Sequence, residues 1–204
     1  MRTSPVGSRR PRCEPRAALL GAVVLLSAAC GGTNIVGDAS GSPTPATSSS
    51  PAAELPPRPR YVLLDGLDPC RALTPQQLTE LGVNREPRQF EGGNRGEAQC
   101  EFEHIYTEPY YRYIVGMVLT EGAEAWLTEQ RTVEVRTLSV AGFGAVETRT
   151  LGEDDLDCML SIDVADGQSL DVSFVSSDDQ FTTDDLCDRA LVGAEAVMAT
   201  LLAG

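Results

Sequence analysis

The sequence predicts an α+β domain, an antiparallel sheet with helices packed on one face and braced by two disulfides. Three features predict it. From Cys158 to Val175, apolar residues alternate on both sides of Asp166-Gly167, the pattern of a hairpin. From Asp184 to Leu202 they recur at helical spacing instead. Residues 61–204 also hold four cysteines, Cys70, Cys100, Cys158 and Cys187.

Taken in order, the domain opens at Tyr61 with the apolar run Val62-Leu63-Leu64. Thr74-Pro75-Gln76-Gln77 starts a helix: Thr74 is the N-cap, Pro75 sits where no amide donor is needed, and Gln77 closes a capping box. Leu78 and Leu81 give that helix its apolar side, and Gly82 ends it. Glu86 to Gly96 is polar and glycine-rich and reads as a loop. Two strands follow. Ala98 to His104 puts Cys100, Phe102 and His104 on one face, and Arg112 to Leu119 does the same with Tyr113, Val115, Met117 and Leu119. Glu108-Pro109-Tyr110 connects them. A second helix is expected over Ala123 to Gln130, with Trp126 and Leu127 apolar. Val133 to Val140 is β-branched, and Gly142 and Gly144 turn it into a strand from Val146 to Leu151.

In the hairpin, Cys158, Leu160, Ile162 and Val164 face one way, and Leu170, Val172 and Phe174 return on the partner strand. Asp166-Gly167 suits a type I′ turn, whose two central residues both take positive φ. The last helix carries Cys187, Ala190, Leu191, Ala194, Val197, Met198 and Leu201 on one stripe, with Asp184 and Asp185 at the positive end of its dipole. The two halves, each a helix followed by strands and each with two cysteines, suggest a weak duplication.

Ahead of the domain, residues 1–29 read as a signal peptide. Arg2, Arg9, Arg10, Arg12 and Arg16 stand against the single acid Glu14, and Ala17 to Ala29 is an apolar run with small residues at its exit. That run is too short to span a bilayer, which takes about 20 apolar residues. Leu26-Ser27-Ala28-Ala29-Cys30 resembles the lipobox of bacterial lipoproteins, although Ser27 holds the place where the commonest form has leucine. The expectation is that Cys30 becomes the mature N-terminus and carries a diacylglyceryl group. Two long acyl chains would bury on the order of 30 methylenes, about 25 kcal/mol of membrane attachment. Residues 30–60 then form a tether, because a segment rich in Ser, Pro, Thr, Ala and Gly buries too little surface to offset its ordering entropy. A coil of that length spans roughly 30 Å.

All sixteen basic residues are arginine, against thirty acids. Loss of residues 1–29 removes five arginines and Glu14, leaving eleven basic and twenty-nine acidic residues, a net charge of −18. Such a surface repels phosphates, so nucleic acid is excluded as a partner. An even number of cysteines in an exported chain implies two disulfides. Three pairings are open; the expected one is Cys70–Cys100 with Cys158–Cys187, each closing about 30 residues and worth roughly 3 to 4 kcal/mol. No pair has CxxC spacing and there is one histidine, so no metal site and no cofactor are expected.

Several of these residues also carry a resemblance. Asp68-Pro69-Cys70, the Thr74 helix, Cys100, Gly142-x-Gly144-Ala145, Cys158 and Cys187-Asp188-x-Ala190, in that order behind a lipobox and a Ser/Pro tether, resemble the actinobacterial lipoproteins that carry the domain of unknown function numbered 3558. In that family an aromatic, often tryptophan, stands two places after the second cysteine, where this chain has Phe102. The resemblance implies a lipid-anchored envelope domain with paired cysteines and brings no catalytic residue with it.

Candidate chemistry is sparse. His104 has no serine or cysteine nucleophile placed beside it by any motif, and reads as a packed, strand-end histidine. Gly142-Phe143-Gly144 lacks the third glycine of a dinucleotide fingerprint and reads as a turn. The acidic runs Glu153 to Asp157, Asp178-Asp179 and Asp184-Asp185 lack the alternating oxygens of a calcium loop. Tyr106, Tyr110, Tyr111 and Tyr113 cluster around one hairpin in a chain poor in aromatics and form the candidate binding surface. The functional expectation is a cell-envelope lipoprotein on the extracytoplasmic face of the membrane, more a binding module than an enzyme. Its partners would be the membrane, through the lipid on Cys30, and an envelope protein or small ligand. Two alternatives are a wall-directed hydrolase using a carboxylate pair and a carrier of an apolar ligand with an enclosed cavity.

Overall fold

The computed structural model describes residues 54–92, 96–128, 133–150, 157–176 and 180–204. Its strands are β1 (Arg88–Gly92), β2 (Glu97–His104), β3 (Tyr111–Val118), β4 (Val133–Val140), β5 (Phe143–Thr150), β6 (Asp157–Ala165) and β7 (Gln168–Ser176). They form one sheet in the order β1-β2-β3-β7-β6-β5-β4, with every neighbouring pair antiparallel. Two meanders, β1–β3 and β4–β7, therefore meet where β3 pairs with β7, Val115 opposite Val172.

The helices are α1 (Pro75–Glu80), α2 (Ala125–Thr128) and α3 (Thr183–Ala203), preceded by a 3-10 turn at Pro69–Arg71. Alternation in the strands builds the core. Cys100, Phe102, Tyr113, Val115, Met117, Leu160, Ile162, Leu170, Val172 and Phe174 are buried on one face, and α3 lays Leu186, Ala190, Ala194, Val197 and Met198 against β6 and β7. Gly193 lets the helix come close: a Cβ there would lie 2.7 Å from the Tyr113 ring. α1 forms as its sequence dictates, with Thr74 and Gln77 in a reciprocal capping box and Gly82 at φ 72° after it. Gln77 also donates to the Ala196 carbonyl at 2.7 Å, joining α1 to α3. A second capping box, Thr182 with Asp185, opens α3.

Both disulfides tie the sheet to something outside it. Cys70–Cys100 joins the 3-10 turn to β2, and Cys158–Cys187 joins β6 to α3. This is the pairing expected from loop length.

Four local expectations are corrected. Residues 88–92, read as loop, form β1, because an exposed edge strand needs only a partner and not an apolar face. Asp166-Gly167 is the hairpin turn, but only Gly167 takes positive φ, at 66°, so it is not type I′; a register shift between Asp163 and Ala165 accommodates it. α2 covers only Ala125–Thr128 of the expected helix, and residues 129–130 lie outside the described residues. Leu119 lies beyond the end of β3 and is exposed. The sheet thus dominates, with α3 the one long helix among the described residues.

The opposite face of the sheet is polar yet partly covered. Ser161 donates to Asp171 at 2.7 Å in a buried pair, and Asp163 accepts from Arg58 at 2.7 Å. The last residues of the predicted tether lie along the domain: Leu55 and Pro56 pack over Gly144, and Arg58 also reaches Asp166. The chain then crosses one end of the sheet. Val62 donates to the Val164 carbonyl and Leu64 to the Gln168 side chain, both at 2.9 Å, and Arg60 donates to Leu202 at the end of α3. The β2–β3 connection lies at the other end, about 23 Å away along strands rising roughly 3.3 Å per residue.

Candidate functional site

The tyrosine hairpin divides into an inside and an outside. Tyr113 points from β3 into the core, where Phe174 meets it edge-on at 5.0 Å. Burial pushes its hydroxyl up to about 12. Tyr111, two residues earlier on the same face, is half-buried: it stacks on His104 with ring centroids 4.8 Å apart and donates to the Leu81 carbonyl at 2.9 Å. Burial raises its pKa too, while Arg189 pulls the other way. The Arg189 guanidinium caps this cluster, 5.1 Å above the Phe181 ring and 5.8 Å from those of Tyr111 and Phe174. That leaves Tyr106, 70% exposed, and Tyr110, 41% exposed, as the tyrosines of the hairpin that face solvent.

His104 is fully engaged. Its Nδ1 faces the Gly82 carbonyl and lies 3.3 Å from Asn84 Nδ2, and its Nε2 lies 2.9 Å from Thr107 Oγ1. The ring pins the turn after α1 to the hairpin. A packed histidine is what the sequence predicts.

Three of the buried carboxylates, Glu101, Glu147 and Asp163, are held by arginine, while Asp171 accepts from Ser161 and Glu97 from Gln99. Glu147 on β5 has one oxygen 2.6 Å from Arg136 and the other 2.9 Å from Arg149, which also reaches Asp184 on α3 at 3.0 Å. Together with Glu134 these groups line a small charged hollow of about 180 Å³. Glu101 is bound by Arg88 and Arg112, and Asp163, raised by burial against the opposing pull of Arg58, lies beside that guanidinium. Glu147, Cys158 and Cys187 would suit a metal by proximity alone, their ligand atoms lying within 4.8 Å of one another, but the two sulfurs are bonded to each other. Asp185 serves the α3 cap, and its pKa is lowered by the hydrogen bonds from Thr182. Residues 153–156 and 178–179 of the acidic runs, and Cys30, lie outside the described residues.

Sequence reasoning missed a second exposed surface. Where the chain enters the domain, Val62 and Leu64 are buried while Tyr61 and Leu63, which alternate with them, are 62% and 64% exposed. Leu67 and Leu119 are exposed nearby. Two open grooves adjoin them, of about 360 Å³ and 380 Å³, and Leu67 lines both. The apolar run at 62–64 was visible in the sequence, but alternation there leaves one side chain in each pair uncovered.

No described helix is long and apolar enough to cross a membrane. A family model described as "Protein of unknown function (DUF3558)" matches residues 25–200. No curated protein and no solved structure matches the chain.

Proposed function

The chain belongs to the DUF3558 family, and from that premise we propose that it is a lipid-anchored module of the bacterial cell envelope that binds a partner protein and performs no chemistry. Cys30 carries the lipid, residues 31–53 lead away from it, and the disulfide-braced domain stands on the extracytoplasmic side. One observation carries the reading: the point where the tether enters and the exposed tyrosines lie at opposite ends of β2 and β3. A domain attached at one end presents Tyr106 and Tyr110 at the other. Tyrosine suits a contact surface, since it offers a large rigid ring with a polar tip. Three buried carboxylates, Glu147, Asp163 and Glu101, are each held by arginine, and His104 is held by Gly82 and Thr107, which counts against their use in hydrolysis. Beneath α3, Leu186, Ala190, Ala194, Val197 and Met198 pack against buried side chains of β6 and β7, which counts against an apolar ligand there.

The test places a photoreactive phenylalanine analogue at position 106 and, as control, at Asp188 on the exposed side of α3. Irradiated cells should give one adduct of defined mass from position 106, absent from the control and weakened by Tyr110→Ala. Equal adducts from both positions, or none from 106, would reject this surface. Mass spectrometry of the mature protein should find acyl chains on Cys30, and Cys30→Ser should release the protein to the medium.

A further inference from the structure

The sheet has two edges, and one of them is unguarded. Among the described residues β4 pairs with β5 alone, which leaves its other side without a partner strand. Edge strands deter a further strand by being short, or by a proline, a lysine or a bulge. β4 is 8 residues long and contains no proline or lysine. Its register runs without a break from Val133 opposite Thr150 to Val140 opposite Phe143. Glu134, Val135, Arg136 and Thr137 are all exposed, and two charges are the only deterrent among them.

The backbone groups on the open side can be named. Ala141 and Gly142, at φ 50° and 85°, form a two-residue turn of type I′ closed by Val140 and Phe143. That closing pair exchanges hydrogen bonds, and such pairs alternate along an antiparallel ladder. Glu134, Arg136 and Leu138 therefore direct their amides to β5, whereas Val133, Val135, Thr137 and Ser139 direct theirs outward.

Charge selects the partner and the register. A second copy joined edge to edge by a two-fold axis sets residues of the same face opposite one another. With the axis at Glu134 or at Arg136, like charges would meet. With the axis at Val135, Glu134 lies opposite Arg136 of the second copy, and Arg136 opposite its Glu134. Val135 then meets its own counterpart and Val133 meets Thr137, so the outward amides face each other as a ladder requires. Of the registers open to Val133–Val140, only this one brings opposite charges together. The shorter edge β1 offers no such match, for Arg88 and Glu91 fall on opposite faces and Arg88 is bound to Glu101. There is also room. α3 lies over β6 and β7, so two copies of it would stay roughly 29 Å apart across the joint, at a strand spacing near 4.8 Å. Repulsion between two copies of charge −18 is screened beyond about 8 Å at physiological ionic strength.

We propose that the chain forms a two-fold dimer through β4, the two sheets running on as one across Val135. This interface is separate from the anchor at Cys30 and from the Tyr106 surface.

The test uses the full chain, made in a bacterium that exports it, with two differently tagged copies in one cell. One copy carries Val133→Cys and the other Thr137→Cys, and the cells are oxidised with copper phenanthroline. A disulfide needs its Cα atoms within roughly 7 Å, which opposed residues satisfy and two copies of residue 133, about 14 Å apart, do not. The mixed pair should give a product of twice the chain's mass that carries both tags and is lost on reduction. Either cysteine variant alone, and the parent, should give none. Val135→Pro removes an outward amide and no bond to β5, so it should cut the mixed product at least about tenfold. Glu134→Arg, which surrounds the axis with arginines, should do the same and serves where the proline variant fails to accumulate. No mixed product, self-coupled products as strong as the mixed one, or a mixed product that survives both substitutions would overturn the proposal. So would a disulfide to a protein of another mass, which would give this edge to a different chain. Loss of the product in Tyr106→Ala would overturn it too, by moving the pairing to the tyrosine hairpin.

Discussion

Replacing Gly193 by alanine sets two magnitudes against each other. In an exposed helix the change would stabilise by about 1 kcal/mol, since alanine loses less backbone entropy. Here the new methyl would lie 2.7 Å from Cδ1 and 2.8 Å from Cε1 of Tyr113, and 3.6 Å from Val172. Carbon pairs are at ease near 3.5 to 4.0 Å, so the ring must retreat by roughly 1 Å. It has nowhere to go: Phe174 stands edge-on at 5.0 Å and Tyr111 at 6.1 Å. Overpacking of this kind costs about 1 to 3 kcal/mol and reaches the upper part of that range where neighbours are fixed. The net expectation for Gly193→Ala is a loss of about 1 to 2 kcal/mol, read from urea denaturation curves with unchanged slope, or a midpoint about 3 to 8 °C lower on heating. In a Tyr113→Leu background, where the ring is gone, the same change should be neutral or stabilising. A single Gly193→Ala protein more stable than the parent would show that α3 does not sit on Tyr113, and the packing described above would fall with it.

Two further outcomes follow from named contacts. Cys158→Ala with Cys187→Ala opens a bridge whose sequence separation is 29 residues and should lower stability by about 3.6 kcal/mol in the chain-entropy treatment; an unchanged urea midpoint would contradict it. Tyr113 is held neutral by burial, its pKa raised from 10.0 to about 12, so the unfolded chain gives up this proton first as pH rises. Its contribution is intact below pH 10 and is lost towards pH 12; the urea midpoint should fall through that window and fall less in Tyr113→Phe.

What the sequence disclosed was whatever a few neighbouring residues decide. The Thr74 cap, the β6–β7 alternation and the α3 stripe are local, and each is where residue spacing puts it. The pairing of the cysteines followed from loop length. What stayed hidden depends on distant partners. β1 has an exposed, polar sequence and exists because β2 offers its edge. The turn at Asp166 took its geometry from a register shift that no dipeptide announces. For the site, a cluster of tyrosines on one hairpin was readable, but not its division. Tyr111 and Tyr113 alternate with Arg112 and so share the covered face, a signal present in the sequence, whereas Tyr106 and Tyr110 belong to the connection. That Tyr61 and Leu63 stay exposed beside the buried Val62 and Leu64 is a property of the finished fold, which local spacing does not announce.

The join between β3 and β7 fixes when this fold is completed. A chain delivered amino end first exposes the β3 edge long before its partner arrives, for Val118 waits for Ser169 and Tyr111 for Ser176. The first meander must stay open, its apolar side uncovered, until the final hairpin emerges and α3 closes over both. Maturation is therefore held to the end of delivery, and the interval before it is when the polypeptide most needs shelter from its neighbours.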